Sequence, residues 1–280
     1  MAPLLAIDTP WLLYRSFFAL PRSIRGTGGM PVGALLGTVN TILALSEACA
    51  PRAVVCCFGA EEAAYRVALY PAYHAHRDPM PDDLRAQWDR ADELLSAFGW
   101  VVRGHDELEA DDLLWSASRR ESKEDGRTLI CSGDRDLFQT VDARTAVLEL
   151  RRDAAPGELD ERAVIARCGV SPAQIPDLIA LRGDPSDGLP GAKGIGAKTA
   201  AALLREHGTL EGVLAAREGL RPRIAAALQE QQAELRAFRA IATLQDVPFA
   251  RPPDAQTDRS AGAVAARALG MTALAKRLES

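Results

Sequence analysis

The sequence predicts an α/β fold in which a mostly parallel sheet is flanked by helices, followed by an all-helical domain. Short apolar runs of strand length alternate with helical apolar patterns over the first half of the chain. Strands that alternate with helices are joined by right-handed crossovers, which makes the sheet mostly parallel. After Gly157 the strand signals vanish and the apolar residues recur at helical spacing.

The elements of the first domain are predicted from these apolar runs and from the residues that break them. The first strand, 4–7, ends on Asp8, and the helix after it, 11–20, contains Tyr14 and Arg15. A glycine-rich turn at 26–33 then leads to an amphipathic helix. The remaining elements are that helix at 34–48, a buried strand at 53–58, a polar insertion broken by prolines at 59–87, a helix at 83–98, a strand at 101–102, a helix from 113, a strand at 128–131 and a last strand at 146–150.

Three regions are expected on this basis. Residues 1–158 form the α/β domain and 159–250 the helical domain. The tail, 251–280, is predicted to pack back on the first domain as a strand or two followed by a short helix at 264–269.

Composition favours a cytoplasmic globular protein. Apolar residues make up 48% of the 280 residues and charged residues 25%, which is ordinary for a soluble domain. No signal peptide and no apolar run of the roughly 20 residues needed for a membrane span is recognised. The five cysteines are odd in number and lack CxxC spacing, so they are interpreted as reduced core thiols.

The net charge of −5 conceals two basic stretches. No acidic residue lies between Thr9 and Ser46, which contains Arg15, Arg22 and Arg25, and none lies between residues 188 and 205. The negative charge is pooled in clusters that divalent ions would neutralise. Because of these local basic segments, the negative net charge of the whole chain does not exclude a nucleic-acid partner.

Two acidic clusters follow predicted strands. Glu109-Ala110-Asp111-Asp112 and Ser132-Gly133-Asp134-Arg135-Asp136 each stand where a strand gives way to a helix. Ligands bind at this edge of a parallel sheet. Two like charges 4 Å apart repel by about 4 kcal/mol at an effective dielectric of 20. The clustered carboxylates must therefore share protons or hold cations, and oxygen-only ligands suit Mg²⁺ or Mn²⁺.

A second motif lies in the helical domain. Asp184 and Asp187 are three residues apart at a predicted helix end, and Gly191, Gly194 and Gly196 form a hairpin before the helix that begins near Lys198. Backbone N–H groups in such a hairpin can bind a phosphate. An ordinary helix–turn–helix and a helix cap remain the alternatives for the hairpin and for the aspartate pair.

These motifs resemble the 5′-nuclease family, which includes the N-terminal domain of bacterial DNA polymerase I, phage 5′-exonucleases and flap endonucleases. The resemblance covers nearly the whole chain and implies a PIN-like nuclease domain and a helix–three-turn–helix domain that grips duplex DNA, in a stand-alone form without a polymerase domain. The segments that carry it, in family order, are Asp8 with Tyr14-Arg15, Tyr73 with His76-Arg77, residues 80–85, Glu109 to Asp112, Gly133 to Asp136, and Asp184 to Ala200.

The resemblance implies roles for individual residues. Paired Mg²⁺ or Mn²⁺ ions would catalyse in-line phosphodiester hydrolysis, and K⁺ at the hairpin is a further expectation. The predicted metal ligands are Asp8, Glu109, Asp111 and Asp112 for the first region and Asp134, Asp136, Asp184 and Asp187 for the second. The predicted catalytic residues are Arg77, Tyr73, Arg15 and His74, and the predicted DNA-binding residues are Gly191, Lys193, Gly194, Gly196, Lys198 and Thr199.

Within this interpretation, 59–87 is an arch through which a 5′ single strand threads. Arg77 steers the scissile phosphate and Tyr73 stacks a base. The alternatives are that both are surface residues of a solvated loop and that Arg15 merely pairs with a carboxylate. Zinc at His74 and His76 is disfavoured, because no cysteine or further histidine is near them in sequence.

Several positions depart from the family pattern. Gly59 stands where an aspartate is usual, with Glu61 or Glu62 as candidates to replace it. His74 occupies the place of the usual arch lysine, and Pro10 and Trp11 replace small polar residues. These changes are expected to weaken the first metal region without abolishing cleavage, and Gly59→Asp is expected to raise the rate at limiting metal.

The sequence thus predicts a metal-dependent 5′→3′ exonuclease and flap endonuclease that removes 5′ flaps or RNA primers in replication and repair. Flap or nicked duplex DNA is the expected substrate of a monomer that cooperates with a polymerase and a ligase. A DNA-binding relative with weakened chemistry is the alternative that Gly59 suggests. A PIN-type ribonuclease is disfavoured because small PIN domains lack the helical hairpin domain.

Overall fold

The structure, a computed structural model, describes residues 2–150 and 156–280. Residues 151–155, which the predicted first domain includes, lie outside the described residues. The described part contains one sheet of six strands in the order β3-β2-β1-β4-β5-β6. The strands are β1 (Leu4–Asp8), β2 (Ala53–Cys57), β3 (Val101–Arg103), β4 (Thr128–Cys131), β5 (Thr145–Glu149) and β6 (Gly157–Leu159).

The mostly parallel sheet is confirmed. Strands β1 to β5 are parallel to one another, with Leu4 opposite Ala53 on one side and Thr128 on the other. The prediction that the sheet ends with a strand at 146–150 is wrong, because β6 adds an antiparallel edge beside β5. Three residues without a long apolar run give too weak a pattern to predict a strand from sequence.

Fourteen α-helices are found in the described residues. Those of the sheet domain are α1 (Thr9–Ala19), α2 (Gly33–Cys49), α3 (Ala64–Leu69), α4 (Asp82–Trp88), α5 (Ala91–Ala97) and α6 (Ala110–Ser122). Those that follow the sheet are α7 (Glu161–Cys168), α8 (Ile175–Arg182), α9 (Ala197–His207), α10 (Leu210–Ala215), α11 (Pro222–Glu230), α12 (Gln232–Ala242), α13 (Arg259–Ala268) and α14 (Thr272–Glu279). No helix in the described ranges combines the length and the apolar character that a membrane span requires.

Both faces of the sheet are buried. Leu4 and Ala6 of β1 belong to a core shared with α6 and the helical domain, whereas Leu5 and Ile7 belong to a second core on the opposite face. Helices α1, α2, α5, α13 and α14 contribute to the second core. Burial on both faces explains why the strands are continuous apolar runs rather than alternating ones.

The tail differs from its prediction. Residues 245–258 contain no strand, and two helices, α13 and α14, follow in place of one. The extended part makes single backbone hydrogen bonds to the sheet domain, from Ala255 N–H to the Arg52 carbonyl (2.8 Å) and from Asp258 N–H to the Phe98 carbonyl (2.8 Å). Isolated bonds of this kind position the tail without forming a ladder.

The predicted arch also contains regular structure. Helix α3 lies within it, and the helix expected at 83–98 is divided into α4 and α5 by a turn at 89–90. We refer to residues 59–81 as the arch segment. It packs against the helical domain through Tyr70, whose ring meets Phe238 edge-on with centroids 5.1 Å apart.

Arg66 of α3 is the main polar contact of the arch segment. Its guanidinium lies 2.8 Å from Glu109 Oε2 and 3.0 Å from Asp112 Oδ1, and Nε donates to the Ile241 carbonyl (3.1 Å). The Arg66 side chain is 4% exposed and that of Asp112 is fully buried. One cation thus connects the arch segment, the start of α6 and the end of α12.

We predict that Arg66→Met lowers the free energy of unfolding by about 3–5 kcal/mol, because it leaves two buried carboxylates without their cation. Urea denaturation followed by circular dichroism measures this change. The matched control is Arg85→Met, which removes the exposed ion pair with Glu61 and should cost less than about 1 kcal/mol. Equal effects of the two substitutions would contradict this account.

Candidate active site

Acidic side chains from separate elements meet at the carboxyl edge of the sheet. Asp8 ends β1, Glu109 and Asp111 stand at the start of α6, and Asp134 and Asp136 follow β4. Because these strands are parallel, their carboxyl ends lie at one edge, where open α/β sheets bind ligands. The loop between α8 and α9 adds Asp184 and Asp187 to the same region.

Asp8 is the most enclosed of these acids. It is 4% exposed, its Oδ1 accepts the Trp11 N–H (3.1 Å) and its Oδ2 accepts the Ser132 hydroxyl (2.5 Å). Burial raises the pKa of Asp8 from 3.8 to about 7, against the lowering effect of these two hydrogen bonds, and the charge of Asp134 raises it further.

The other central acids act on one another in the same way. Burial, followed by the charges of Asp134 and Asp8, holds the pKa of Asp111 well above its usual value. Burial, followed by the charges of Asp134, Asp187 and Asp184, does the same for the pKa of Asp136. Asp8, Asp111, Asp134, Asp136, Asp184 and Asp187 are therefore linked by their mutual electrostatic repulsion.

We call these six residues the acidic group: Asp8, Asp111, Asp134, Asp136, Asp184 and Asp187. Its donor set consists of carboxylate oxygens, which fits Mg²⁺ or Mn²⁺ chemically. No three histidine, cysteine or acidic side chains in the described ranges are already grouped closely enough to hold an ion. The oxygens would have to move together for an ion to bind.

Glu109 and Asp112 are held by Arg66 instead. Glu109 also accepts hydrogen bonds from the Ala63 N–H (2.9 Å) and the Tyr73 hydroxyl (3.1 Å). Asp112 accepts the Gln245 N–H (2.8 Å). The structure therefore does not bring Asp112 into the acidic group, because its carboxylate faces Arg66 and the chain after α12, whereas Glu109 contributes to the raised pKa of Asp111.

Tyr73 and His74 of the arch segment are buried, not exposed. Tyr73 is 3% exposed, its ring is stacked on that of His74 with centroids 3.7 Å apart, and His74 Nε2 lies 3.1 Å from Asp187 Oδ1. In this conformation Tyr73 offers no free ring face for a base. Its hydroxyl orients Glu109 instead.

Arg77 and Arg15 are accessible at the site. Arg77 Nη2 lies 3.2 Å from Asp187 Oδ1 and its side chain is half exposed. Arg15 is exposed and its guanidinium lies over the Trp11 ring, 5.8 Å from the centroid. No ion pair of Arg15 with a carboxylate is found among the described residues, so the alternative in which it only neutralises an acid has no support.

Gly59 is enclosed by backbone. A Cβ atom there would lie 2.4 Å from the Ala110 nitrogen and 2.5 Å from the Leu108 carbonyl oxygen. The Ala60 N–H donates to that same carbonyl (2.8 Å). An aspartate at 59 has no room without a backbone shift, so this packing does not support the expectation that Gly59→Asp raises the rate at limiting metal. The proposed replacement is not observed either, because Glu61 pairs outward with Arg85 and Glu62 is exposed.

The two aspartates after α8 are not helix caps. Asp184 Oδ1 accepts the Ser186 N–H (3.0 Å) and its Oδ2 lies 3.2 Å from Arg182 Nη2. Asp187 bonds to the arch segment through His74 and Arg77. A cleft of about 590 Å³ opens beside them, lined by Trp11, Gly133, Asp134, Arg135, Arg182, Gly183, Asp184, Pro185, Ser186 and Ala197.

The predicted DNA-binding hairpin leads directly into α9. Gly191 is buried beneath it, Thr199 is half-buried, and Lys193, Gly194, Gly196 and Lys198 are exposed. Beside it lies a second cleft of about 580 Å³, which Lys193 and Lys198 share with Arg221 and Arg223 at the start of α11. The hairpin and the start of α11 therefore each contribute two cations to this cleft, which Glu206 also lines.

Sequence models of known families match almost all of this chain. The model described as "5'-3' exonuclease, N-terminal resolvase-like domain" matches residues 3–169, and "5'-3' exonuclease, C-terminal SAM fold" matches residues 170–260. The chain belongs to the 5′-3′ exonuclease family. Members of this family are hydrolases, which agrees with an acidic group at a sheet edge, and the predicted resemblance is confirmed.

Two curated relatives illustrate the range of the family. The 5'-3' exonuclease of Mycobacterium tuberculosis (strain ATCC 25618 / H37Rv) is 36% identical over 285 residues, covering 90% of this chain and 88% of that protein. DNA polymerase I of Mycobacterium bovis (strain ATCC BAA-935 / AF2122/97) is 34% identical over 254 residues. The match covers 90% of this chain but only 28% of that polymerase.

Solved structures of a phage T5 protein share the fold. The T5 D15 protein co-crystallised with metal ions gives a TM-score of 0.71 at 18% identity, covering 99% of this chain and 97% of that one. The T5 D15 flap endonuclease in a pseudo-enzyme-product complex with DNA and metal ions gives 0.68 at 20% identity, with the same coverage. At these identities the likeness establishes the fold, including the helical domain after the sheet.

Sequence reasoning missed three contributions to the site. Arg66 gave no signal that distinguished it from Arg77 and Arg85, the other arginines of the polar insertion. Arg221 and Arg223 flank Pro222, and a basic pair at a helix start was the signal that could have identified them. Trp11 was noted as a departure from the family pattern, but its position on the cleft wall depends on Gly133, which is distant in sequence.

We predict that Asp8→Asn stabilises the metal-free protein at pH 8 more than at pH 5. The folded protein holds the Asp8 proton up to about pH 7, whereas the usual pKa is 3.8. Ionisation therefore costs stability as the pH rises through this interval, and asparagine removes that cost. Each kcal/mol of relief raises Tm by roughly 2–4 °C in a protein of about this size.

Thermal melts at both pH values test this, with Asp125→Asn as the control. Asp125 is exposed in the loop before β4, at the opposite edge of the sheet. Mn²⁺ should raise the Tm of the unsubstituted protein more than that of Asp8→Asn. A stabilisation by Asp8→Asn that is larger at pH 5 than at pH 8 would show that ionisation of Asp8 does not destabilise the folded protein.

Proposed function

We propose that this protein is a structure-specific 5′ nuclease that hydrolyses phosphodiester bonds at 5′ flaps and 5′ ends of DNA, and of RNA primers, in replication and repair. The observation that carries the proposal is the acidic group, assembled from the ends of β1 and β4, the start of α6 and the α8–α9 loop, beside a basic hairpin. Membership of the 5′-3′ exonuclease family supports it.

The proposed cofactor is Mg²⁺ or Mn²⁺, with two or more ions in the site. Asp8, Asp111 and Glu109 would hold the first ion, and Asp134, Asp136, Asp184 and Asp187 the second. Bound ions of this kind supply a hydroxide nucleophile and stabilise the leaving oxygen. The divalent metal ions, zinc, bound to T5 5′-exonuclease support a divalent cofactor. Asp112 is left out of this set, and its proposed part is to hold Arg66 in place.

The remaining residues bind and orient the substrate. The hairpin offers Lys193 and Lys198 to the phosphates of the duplex, with K⁺ as a proposed ligand of the hairpin backbone. Arg77, half exposed beside Asp187, is positioned to bind the phosphate nearest the acidic group. Tyr73 and His74 fix the arch segment by their contacts with Glu109 and Asp187. Their proposed role is positioning rather than contact with a base.

The wider setting is part of the same proposal. Flap or nicked duplex DNA is the proposed substrate, which the DNA in the T5 complex supports. Similarity to part of DNA polymerase I supports cooperation with a polymerase, and joint action with a ligase is a further part of the proposal. A monomeric, cytoplasmic protein is proposed, in agreement with five free cysteines.

The alternative function is structure-specific DNA binding with weakened catalysis, which Gly59 in place of an aspartate suggests. The backbone of 108–110 occupies the space beside Gly59. This packing supports a close backbone contact at Gly59 rather than an empty position for a metal ligand. All six members of the acidic group remain, and no finding favours the alternative.

We predict that Asp134→Asn lowers cleavage of a 5′-flap DNA in Mn²⁺ by more than about 100-fold, because loss of even an outer-shell partner of a metal costs 10–100-fold. Binding of the same DNA in Ca²⁺ should persist. Gel analysis of end-labelled flap substrates measures the first quantity and fluorescence anisotropy the second.

The matched control for that experiment is Asp125→Asn, which should cleave at the normal rate. Flap DNA that remains intact with the unsubstituted protein, whatever metal is supplied, would leave the DNA-binding alternative standing. Substrates with RNA in the flap strand or in the duplex would separate this activity from that of a PIN-type ribonuclease, which should prefer single-stranded RNA.

We also predict that Lys198→Ala weakens duplex binding uniformly across sequences and reduces the slope of log K against log salt by about 1, as expected when one phosphate contact is lost. Anisotropy titrations over a range of KCl concentrations measure the slope. Lys276→Ala on α14, exposed on a helix that packs against the second core, is the control and should leave it unchanged. An unaltered slope for Lys198→Ala would remove the hairpin from the interface.

A further inference from the structure

Trp11 occupies an unusual place on the wall of the acidic cleft. It lies in the first turn of α1, three residues after Asp8, and its backbone N–H donates to the Asp8 carboxylate. Its side chain lines the 590 Å³ cleft together with Asp134 and Asp184. A large aromatic ring is therefore held at the edge where the proposed substrate strand must pass.

Gly133 makes room for this ring. A Cβ atom at 133 would lie 2.5 Å from Trp11 Cζ2 and 2.6 Å from Nε1, so any side chain there would displace the indole. The ring thus rests on the backbone of the motif that carries Asp134. Its N–H has no hydrogen-bond acceptor among the described residues, and the side chain is only partly buried.

Arg15 completes the arrangement. It lies one turn further along α1 with its guanidinium over the indole, 5.8 Å from the ring centroid, and it has no carboxylate partner in the described part of the chain. A cation over an aromatic face is attracted to it, and its remaining N–H groups stay available. Positive charge and aromatic surface together are the features by which proteins hold single strands without reading sequence.

The geometry points to a nucleotide-binding platform, formed by Trp11 and Arg15, which holds the substrate strand as it enters the acidic group. We propose that an unpaired base at the flap junction stacks on the indole face over which the Arg15 guanidinium lies, and that Arg15 moves off the ring to bind a neighbouring phosphate. This inference rests on the proposed nuclease function. It also supplies an accessible aromatic surface at the site, because Tyr73 is buried against His74 and Glu109.

The chain contains its own control for this pair. Trp115 and Arg119 on α6 have the same spacing, with the Arg119 guanidinium 5.4 Å from the Trp115 centroid. That pair does not line the acidic cleft. Equivalent substitutions in the two pairs therefore differ in their location and not in their chemistry.

The test uses a 5′-flap DNA with 2-aminopurine in the flap strand at the junction, bound in Ca²⁺. Binding of the unsubstituted protein should change the 2-aminopurine fluorescence. Trp11→Leu should abolish that change and weaken binding about tenfold, in the range of one stacked base, whereas Trp11→Phe should retain most of both. Trp115→Leu should behave like the unsubstituted protein.

Arg15→Gln gives a second measurement on an exposed side chain, in case Trp11→Leu does not fold. It should reduce the salt slope of flap binding by about 1, while Arg119→Gln should not. A folded Trp11→Leu protein that gives the same 2-aminopurine fluorescence change and the same affinity as the unsubstituted protein would overturn the platform. Normal flap cleavage by that variant in Mn²⁺ would leave the nuclease proposal intact. An unsubstituted protein that binds no flap DNA would overturn both.

Discussion

Electrostatic repulsion among the carboxylates at the carboxyl edge of the sheet is the constraint to which the surrounding structure responds. The outer acids have cations close by: Arg66 lies against Glu109, Arg77 against Asp187 and Arg182 against Asp184. The inner acids form no ion pair among the described residues. Burial raises the pKa values of Asp8, Asp111 and Asp136, although the charge of Arg66 acts in the opposite direction on Asp111 and that of Arg182 on Asp136. Protons or added cations must balance the centre. That requirement is a physical reason for a divalent cofactor, independent of any family likeness.

The same repulsion explains the conformation of the arch segment. Arg66, Tyr73, His74 and Arg77 all direct polar atoms to the acids, so the segment is drawn toward the edge of the sheet rather than standing away from it. The contacts with Asp187 are made by the side chains that the sequence assigned to the substrate. Under the proposed function, a substrate phosphate would compete with Asp187 for Arg77, which lies 3.2 Å from the Asp187 carboxylate.

The sequence predicted those parts of the fold and of the acidic site whose pattern lies within a few consecutive residues. Apolar runs located five of the six strands, and acidic pairs directly after strands located most of the acidic group, because a parallel sheet brings such ends to one edge. Short β6 and the unpaired extended tail gave no periodic pattern. Arg66 could not be assigned because its partners, Glu109, Asp112 and the Ile241 carbonyl, are distant in sequence. Contacts of that kind become visible only in the folded chain.

Close packing surrounds two of the positions at which the sequence was expected to depart from the family pattern, Gly59 and Trp11. Gly59 admits the backbone of 108–110 so closely that a side chain would be excluded, and Gly133 admits the Trp11 ring in the same way. At Gly59 the backbone of 108–110 fills the space that a side chain would need. At Gly133 the absence of a side chain leaves space for the large Trp11 ring. Interiors packed at crystal-like density permit such changes only in compensating sets. Trp11 and Gly133 are therefore best regarded as one feature, a wall of the cleft in which the indole ring packs against the backbone beside Asp134.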